Sequence, residues 1–417
     1  MNIWILNHYA IPPDSPGGTR HYDFARELVK RGHQVTIFAS SFSHRTRKEE
    51  RLTKKQNYRR EKVNGVEFIW IRTRPYHKGN DWRRVLNMLS YGWRVFSLGR
   101  KLKERPDVIL ASSPHPFAGL AGYFLSRRKK AAFIFEVRDL WPQTLVEIGG
   151  YSNKSLVVKF LGILEKFLYR KAEKIVVLPP NAPEYITRLG IPGDKVAHIP
   201  NGVNPETFSR SDVGLPEAMA KTIAGLKSKR KLLAVYAGAH GIANALDTII
   251  ETARILQDEG IDKVHFLMVG EGPEKAGLIT KAKDWRLSNV SFHKPIAKGA
   301  IPELLRASDI AVLSWRKSDL YEHGMSSNKL WDYMVCARPI VWAIDTLGDP
   351  VAETNCGITV PAEDSAAMAQ AIVKLCSLSN DERREMGLRG HEYIMKYHAI
   401  PVLADRLLEV MEEVKEH

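Results

Sequence analysis

Thirteen short runs of β-branched and other apolar residues punctuate the 417-residue chain, and helical patterns fill most of the gaps. The first half holds 2–7, 34–40, 66–72, 108–112, 133–137, 174–178 and 196–200; the second holds 232–238, 264–270, 290–294, 310–314, 339–344 and 357–360. Many are continuously apolar rather than alternating, as expected of parallel strands covered on both faces. Between them, Tyr22, Ala25, Leu28 and Val29 follow helical spacing, as do Leu246, Ile249, Ile250, Ala253 and Leu256. Repeated strand–helix units predict a doubly wound α/β fold, and so many strands predict two Rossmann-like domains rather than one sheet.

The break between domains is expected in Ile199-Pro200-Asn201-Gly202-Val203-Asn204-Pro205, where turn residues cluster and helical period is absent. This gives a first domain over 1–200 and a second over 201–394. Residues 206–230 read as a loose linker with helical pieces. The tail, 381–417, reads as helical, with Asp381 as the N-cap.

At 44% hydrophobic and 26% charged residues, the chain has the composition of an ordinary soluble domain pair. Cys336, Cys356 and Cys376 have neither disulfide nor zinc-site spacing, and read as small buried hydrophobes in a reducing cytoplasm. The N-terminal apolar run is too short for a signal peptide, and no stretch of about 18 apolar residues is present to span a bilayer. The net charge of +15 favours an acidic partner: nucleic acid, anionic lipid or a phosphorylated substrate.

Six stretches at strand ends carry candidate chemistry. Gly17-Gly18 lies between the first strand and the first helix. It is either a tight turn or a close approach of backbone to an oxyanion at the helix N-terminus. His115 follows the strand 108–112 between two prolines, as a surface residue or as one that orients or protonates a substrate hydroxyl. Glu136, Arg138 and Asp139 leave a buried strand together, which is costly unless they pair internally or face a cleft; the cleft is the preferred reading. Gly238 with Gly241, and Gly270 with Gly272, end strands of the second half in close-approach turns. Finally, Ser326-Ser327-Asn328 caps a helix over 329–335 whose N–H groups, with Lys329, suit a diphosphate. Asp332, at Asn328+4, shares that face and can accept hydrogen bonds from ribose hydroxyls.

With these motifs the chain resembles glycosyltransferase family 4 over essentially its whole length. The resemblance is carried by Gly17-Gly18, His115, "RDLWP" (138–142), "VGEGP" (269–273) and "SSNKLWDYMVCARPIV" (326–341), and extends to bacterial transferases similar to the O-antigen fucosamine transferase. It implies the GT-B fold: two facing Rossmann-like domains, with a C-terminal segment, 395–417, crossing back to brace the first. It implies a retaining transfer, without metal or cofactor, from a UDP-sugar. The sugar would be an N-acetylated amino sugar such as N-acetylfucosamine, and the acceptor a polyprenyl-diphosphate-linked glycan of O-antigen or capsule synthesis. His115, Glu136, Arg138 and Asp139 would shape the catalytic side. Gly17, Gly18, Gly238, Gly241, Gly270, Ser327, Asn328, Lys329 and Asp332 would take the donor. Asp332 stands where the family has the second glutamate of a spaced pair; the register of the first falls on Gly324, with Glu322 nearby. Ala337 replaces a usual glycine. The stretch 238–245 lacks the Arg and Lys that many members place there, so Arg316 and Lys317 become additional diphosphate candidates.

A basic, tryptophan-bearing helix is predicted over 81–105. It either lies in an anionic bilayer interface or packs its apolar face inward. The segment 45–62, with nine Lys or Arg and three Glu, reads as a mobile solvated loop. Together these suggest a cytoplasmic protein peripheral to the inner membrane face. Two other functions fit less well: a UDP-N-acetylglucosamine 2-epimerase of the same fold, and a basic nucleic-acid-binding protein, for which no recognition motif is present.

Overall fold

The computed structural model describes residues 1–15, 17–77, 82–113, 115–142, 152, 154–180, 182–209, 213–318, 321 and 327–416. It divides into two compact units: Met1–Asn201 with Ile400–His417, and Gly202–Ala399. All thirteen apolar runs are strands.

The first unit is built on an eight-stranded sheet. Its strands are β1 (Asn2–Leu6), β2 (Gln34–Ser40), β5 (Tyr58–Val63), β6 (Val66–Ile71), β7 (Val108–Ser112), β8 (Ala132–Val137), β9 (Lys174–Val177) and β10 (Val196–His198). Phe42–Ser43 (β3) and Lys48–Glu49 (β4) form a separate small hairpin. The sheet order is β10-β9-β8-β7-β1-β2-β6-β5, parallel except at β5. Period-two alternation divides the strands between two cores. Trp4 and Leu6 face one cluster while Ile3 and Ile5 face the other; Ile109 and Ala111 oppose Val108 and Leu110 in the same way. Helices α2 (Trp82–Gly99), α3 (Pro116–Lys129) and α4 (Leu156–Lys171) cover the first face; α1 (Arg20–Lys30) and the last helix, Ile400–Glu416, cover the second.

The second unit has a six-stranded, all-parallel sheet of β11 (Leu232–Ala237), β12 (Val264–Val269), β13 (Val290–His293), β14 (Ile310–Ser314), β15 (Ile340–Ala343) and β16 (Gly357–Val360). The order is β13-β12-β11-β14-β15-β16, around a single apolar core.

Four expectations need correction. Residues 45–62 are not a loop throughout: β5 pairs antiparallel with β6 as an edge strand. Its exposed Arg60 and Lys62 are the charges that keep a sheet edge from pairing further. Residues 206–230 hold the expected helical pieces but are not a loose linker, because the helix Glu217–Ser228 buries Met219 and Ile223 in the second unit's core. The helix after 380 is capped by Ser379, not Asp381. Ser379 accepts from the Glu382 N–H while Glu382 reaches back to the Ser379 N–H, a complete capping box. The tail is two helices, Asn380–Tyr397 and Ile400–Glu416, and the chain rejoins the first unit at Ile400 rather than 395. Arg31 pairs with Asp405 of that last helix at 2.7 Å.

Candidate active site

In the first unit, every parallel strand delivers its C-terminal end to one edge, and Glu136 is the hub there. The side chain is 1% exposed. Its carboxylate accepts from Arg20 Nε at 2.9 Å, His21 Nε2 at 2.6 Å and Ser112 Oγ at 2.5 Å. Asn7 Nδ2 donates in turn to Ser112 Oγ at 3.0 Å. Arg20 also donates to the carbonyls of Ile199 and Pro200, tying the start of α1 to the exit of β10. Burial alone would raise the Glu136 carboxyl, but His21 and Arg20 beside it hold it well below the usual carboxylate range. Burial pushes His21 down, so Arg20 is the cation of the group and His21 a neutral donor. For Glu136 the internal pair is therefore the observed arrangement, and its preferred reading as a cleft residue is corrected. It positions the N-terminus of α1 rather than facing solvent.

Arg138 and Asp139, just beyond, are half-buried and exposed respectively, and the Arg138 N–H is pinned to Ser113 Oγ at 2.8 Å. His115 is not a surface residue. It is 1% exposed, at the N-cap position of α3. Its Nε2 shares a 2.7 Å hydrogen bond with Nδ1 of His8, while its own Nδ1 is buried without a partner among the described residues. His8 is stacked between the rings of Tyr9 and Tyr91. Burial, with the Arg84 charge, lowers the His115 pKa to about 3, so it is neutral at physiological pH. Gly17, at φ +138°, and Gly18 lie exposed ahead of α1, on the same edge.

The second unit gathers its predicted residues more tightly. Helix α5 (Asn328–Val335) starts after Ser327, which is buried and makes no side-chain cap bond; Asn328 is exposed. Lys329 Nζ donates to Asn244 Oδ1 at 2.6 Å and lies over the rings of Tyr236 and Trp315, 5.5 and 5.1 Å from their centres. Burial lowers its ammonium to about 8. A Cβ on Gly238 would collide with the Lys329 stem. Gly270, at φ +153°, abuts the Gly238 carbonyl so closely that no side chain could stand there.

Between these glycines lies His240, which is fully buried with neither ring nitrogen hydrogen-bonded among the described residues. Burial, with the Lys275 charge adding to it, takes its pKa down to about 4. Its backbone N–H donates to the Glu271 carbonyl at 2.9 Å, which locks the loop to the end of β12. Lys275 closes the floor by donating to the carbonyls of Gly270 and His293. Gly241 begins the short turn Ile242–Asn244 that presents Asn244.

The remaining predicted residues are less engaged. Asp332 is half-buried one turn into α5, has no hydrogen-bond donor among the described residues, and is raised by burial to about 7. Arg316 and Lys317 do not join Lys329. Arg316 pairs with Glu363 at 2.9 Å, and Lys317 gives its N–H to Glu363 and its ammonium to Asp345. Glu322, Gly324 and Ser326 lie outside the described residues.

Asn244 and His240 are missed by reading for Arg and Lys alone, although His240 stands between the two glycines that were singled out. Arg20 and His21 directly follow the Gly17-Gly18 turn, and that adjacency was the available signal.

Two parallel α/β units of this kind are the GT-B architecture. Solved structures sharing it include sucrose-phosphate synthase of Thermosynechococcus elongatus, with a TM-score of 0.73 and 16% identity over 99% of this chain and 98% of that one. Anabaena HepE, solved with UDP and glucose, has a TM-score of 0.66 and 14% identity over 99% and 100%. The chain belongs to the family 4-type glycosyltransferases: residues 17–202 match the glycosyl transferase 4-like domain and 231–377 match glycosyl transferases group 1. Both are transferase families, which decides against the epimerase and nucleic-acid readings.

Among curated proteins it is similar to the putative colanic acid biosynthesis glycosyl transferase WcaI of Escherichia coli K12. The match is 22% identical over 230 residues, 54% of this chain, and spans 55% of that relative's length. It is also 22% identical to the probable glycosyltransferase WbjE of Pseudomonas aeruginosa over 311 residues, 73% of this chain and 75% of that one.

Proposed function

We propose that the protein is a retaining glycosyltransferase of bacterial surface polysaccharide synthesis. It moves a sugar, of the N-acetylated amino sugar class, from a UDP-sugar to a polyprenyl-diphosphate-linked acceptor at the inner membrane face. The observation that carries the donor half is the nook of Lys329, Asn244, His240 and the two close-approach glycines. It offers one cation, a helix start and a buried imidazole without a partner among the described residues, a set suited to a diphosphate. UDP and glucose in HepE, and UDP-2-fluoro glucose in the trehalose-6-phosphate protein of E. coli, are ligands of those proteins that support the same reading. Colanic acid synthesis in the name of WcaI supports the polysaccharide setting.

In this reading Lys329 and the start of α5 neutralise the leaving UDP in place of a metal ion. Asp332 accepts from the ribose hydroxyls. The neutral His115 orients a sugar hydroxyl, and Arg138 and Asp139 stand at the acceptor side; no residue is assigned as a base.

The test is incubation with a panel of labelled UDP-sugars, with and without extracted polyprenyl-diphosphate glycans, in EDTA. Label passing into the lipid fraction only when both substrates are present supports the proposal. Epimerised free sugar from donor alone, or transfer abolished by EDTA, contradicts it.

A further inference from the structure

Helices α2, α3 and α4 cover the sheet with one apolar face each, yet two of them carry a second apolar face turned to solvent. In α2 the inner face is Met88, Tyr91 and Val95, all buried. The outer one is Trp82, Val85, Leu89 and Trp93, spaced three, four and four residues apart, and its two tryptophans are 66% and 69% exposed. In α4 the inner face is Leu161, Leu164 and Leu168; the outer one is Leu156, Phe160 and Ile163, which are 82%, 58% and 70% exposed. Phe124 of α3 is exposed between them, its ring 6.3 Å from that of Phe96 in α2. An ordinary surface helix places polar residues at such positions. The inward-packing alternative for 81–105 thus accounts for one side of the helix, and an exposed apolar side of the kind the bilayer alternative calls for lies on the other.

The charges on the same helices have one sign. Helix α2 contributes three arginines, α3 contributes Arg127, Arg128 and Lys129, and α4 contributes Lys159, Lys166, Arg170 and Lys171. The three helices hold a single acid, Glu165, which is buried and accepts from Tyr169 Oη at 2.8 Å. A second copy of this chain is a poor occupant, because a two-fold interface would set this basic face against itself. Tryptophans flanked by Lys and Arg around an aliphatic band match the headgroup boundary of an anionic bilayer. No helix among the described residues is long and apolar enough to cross a membrane, so contact would be lateral.

Topology sets the direction. Each of the three helices joins two parallel strands and so runs back against them, which brings its N-terminal end to the strands' C-terminal edge. Trp82, Val85, Leu156 and Phe160 are in the first turns of α2 and α4, on the edge that holds His115 and Arg138. We infer that the outer surface of α2, α3 and α4 is a docking surface for an anionic phospholipid bilayer. Docked there, the protein holds its acceptor side at headgroup level; that purpose, though not the surface itself, rests on the lipid-linked acceptor proposed above.

The experiment is flotation of the full chain with phosphatidylcholine vesicles, with and without phosphatidylglycerol. It compares wild type with Phe160→Glu/Ile163→Glu and with Lys159→Glu/Lys166→Glu, and the thermal shift with UDP is recorded for each. The wild type is expected to float with the anionic vesicles and to be released by salt. The apolar-to-acid variant should bind on the order of tenfold more weakly or worse, and the charge-reversed variant should lose its preference for phosphatidylglycerol. Both should keep the wild-type UDP shift, and an unchanged melting profile without UDP certifies the folding of both units. Undiminished flotation of both variants overturns the inference, as does loss of self-association with vesicle binding unchanged. Failure of the wild type to float while UDP still stabilises it defeats the surface alone. Flotation without any UDP effect defeats the donor reading alone.

Discussion

Lys329 and Asn244, 85 positions apart in sequence, meet at 2.6 Å between Nζ and Oδ1, and the lysine stem fills the volume that Gly238 leaves free. The ammonium is thereby aimed across a mostly apolar wall of Tyr236 and Trp315, and burial lowers its pKa to about 8. A bound diphosphate favours the charged form and raises that value again. UDP binding is therefore predicted to take up a proton at and above pH 8, and to weaken as pH rises further. Calorimetric titrations in buffers of different ionisation enthalpy measure this directly. Lys329→Met should abolish the uptake.

Gly270 should not tolerate a side chain. Its φ of +153° and the Gly238 carbonyl at its Cβ position leave a methyl group nowhere to go without moving the turn. Gly270→Ala is predicted to cost about 2 kcal/mol or more of stability in the second unit. Surviving folded protein should lose nucleotide binding, because the loop of His240 is hydrogen-bonded to the displaced turn through the Glu271 carbonyl. Urea denaturation together with UDP titration reads both effects.

Glu136→Gln should behave as a stability lesion. It leaves the buried Arg20 guanidinium without its anion, a loss of about 3–5 kcal/mol by analogy with broken buried pairs. The sign with pH follows from a folded pKa held below the unfolded one. The contribution is fully present above the ordinary glutamate value of about 4.3 and is lost as pH falls from there toward the depressed folded value. Unfolding free energies across acid pH should be steeper in the wild type than in a Glu136→Leu/Arg20→Met variant.

His115 should stay neutral throughout pH 5 to 8. Its folded pKa of about 3 lies below the unfolded value, so its neutral burial favours folding above about pH 6.5 and progressively less below it. Imidazole NMR shifts for this residue should not titrate in that window, and His115→Gln should flatten the loss of stability between pH 6 and 4. A rate profile governed by a group titrating near 6.5 must then involve another residue.

The strands were legible because parallel strands buried on both faces are written as unbroken apolar runs such as "IWIL" and "IVWA". Strand β5 was not: "YRREKV" lies at an open edge, where Arg60 and Lys62 are exposed, and it reads as a solvated loop. The docking of the helix Glu217–Ser228 on the core is not legible, because only two of its residues are buried. At the site, Lys329 was legible because a cap, a helix and a cation follow one another in sequence. The Arg20–Glu136 pair spans 116 positions, and no local pattern in either segment announces it. Arg316 and Lys317 were plausible as cations; what the sequence could not show is that Glu363 and Asp345 engage them first.

In the proposed reading the second unit binds a uridine diphosphate through Lys329. The most direct test is the melting temperature with UDP, GDP, ADP or NAD, with and without EDTA, for wild type and Lys329→Met. A ligand at about 100 times its dissociation constant adds about 2.7 kcal/mol, which is readily seen. A shift with UDP alone, unchanged by EDTA and lost in Lys329→Met, is the predicted result. No shift with UDP, a shift with NAD only, or a UDP shift that survives the substitution would contradict it.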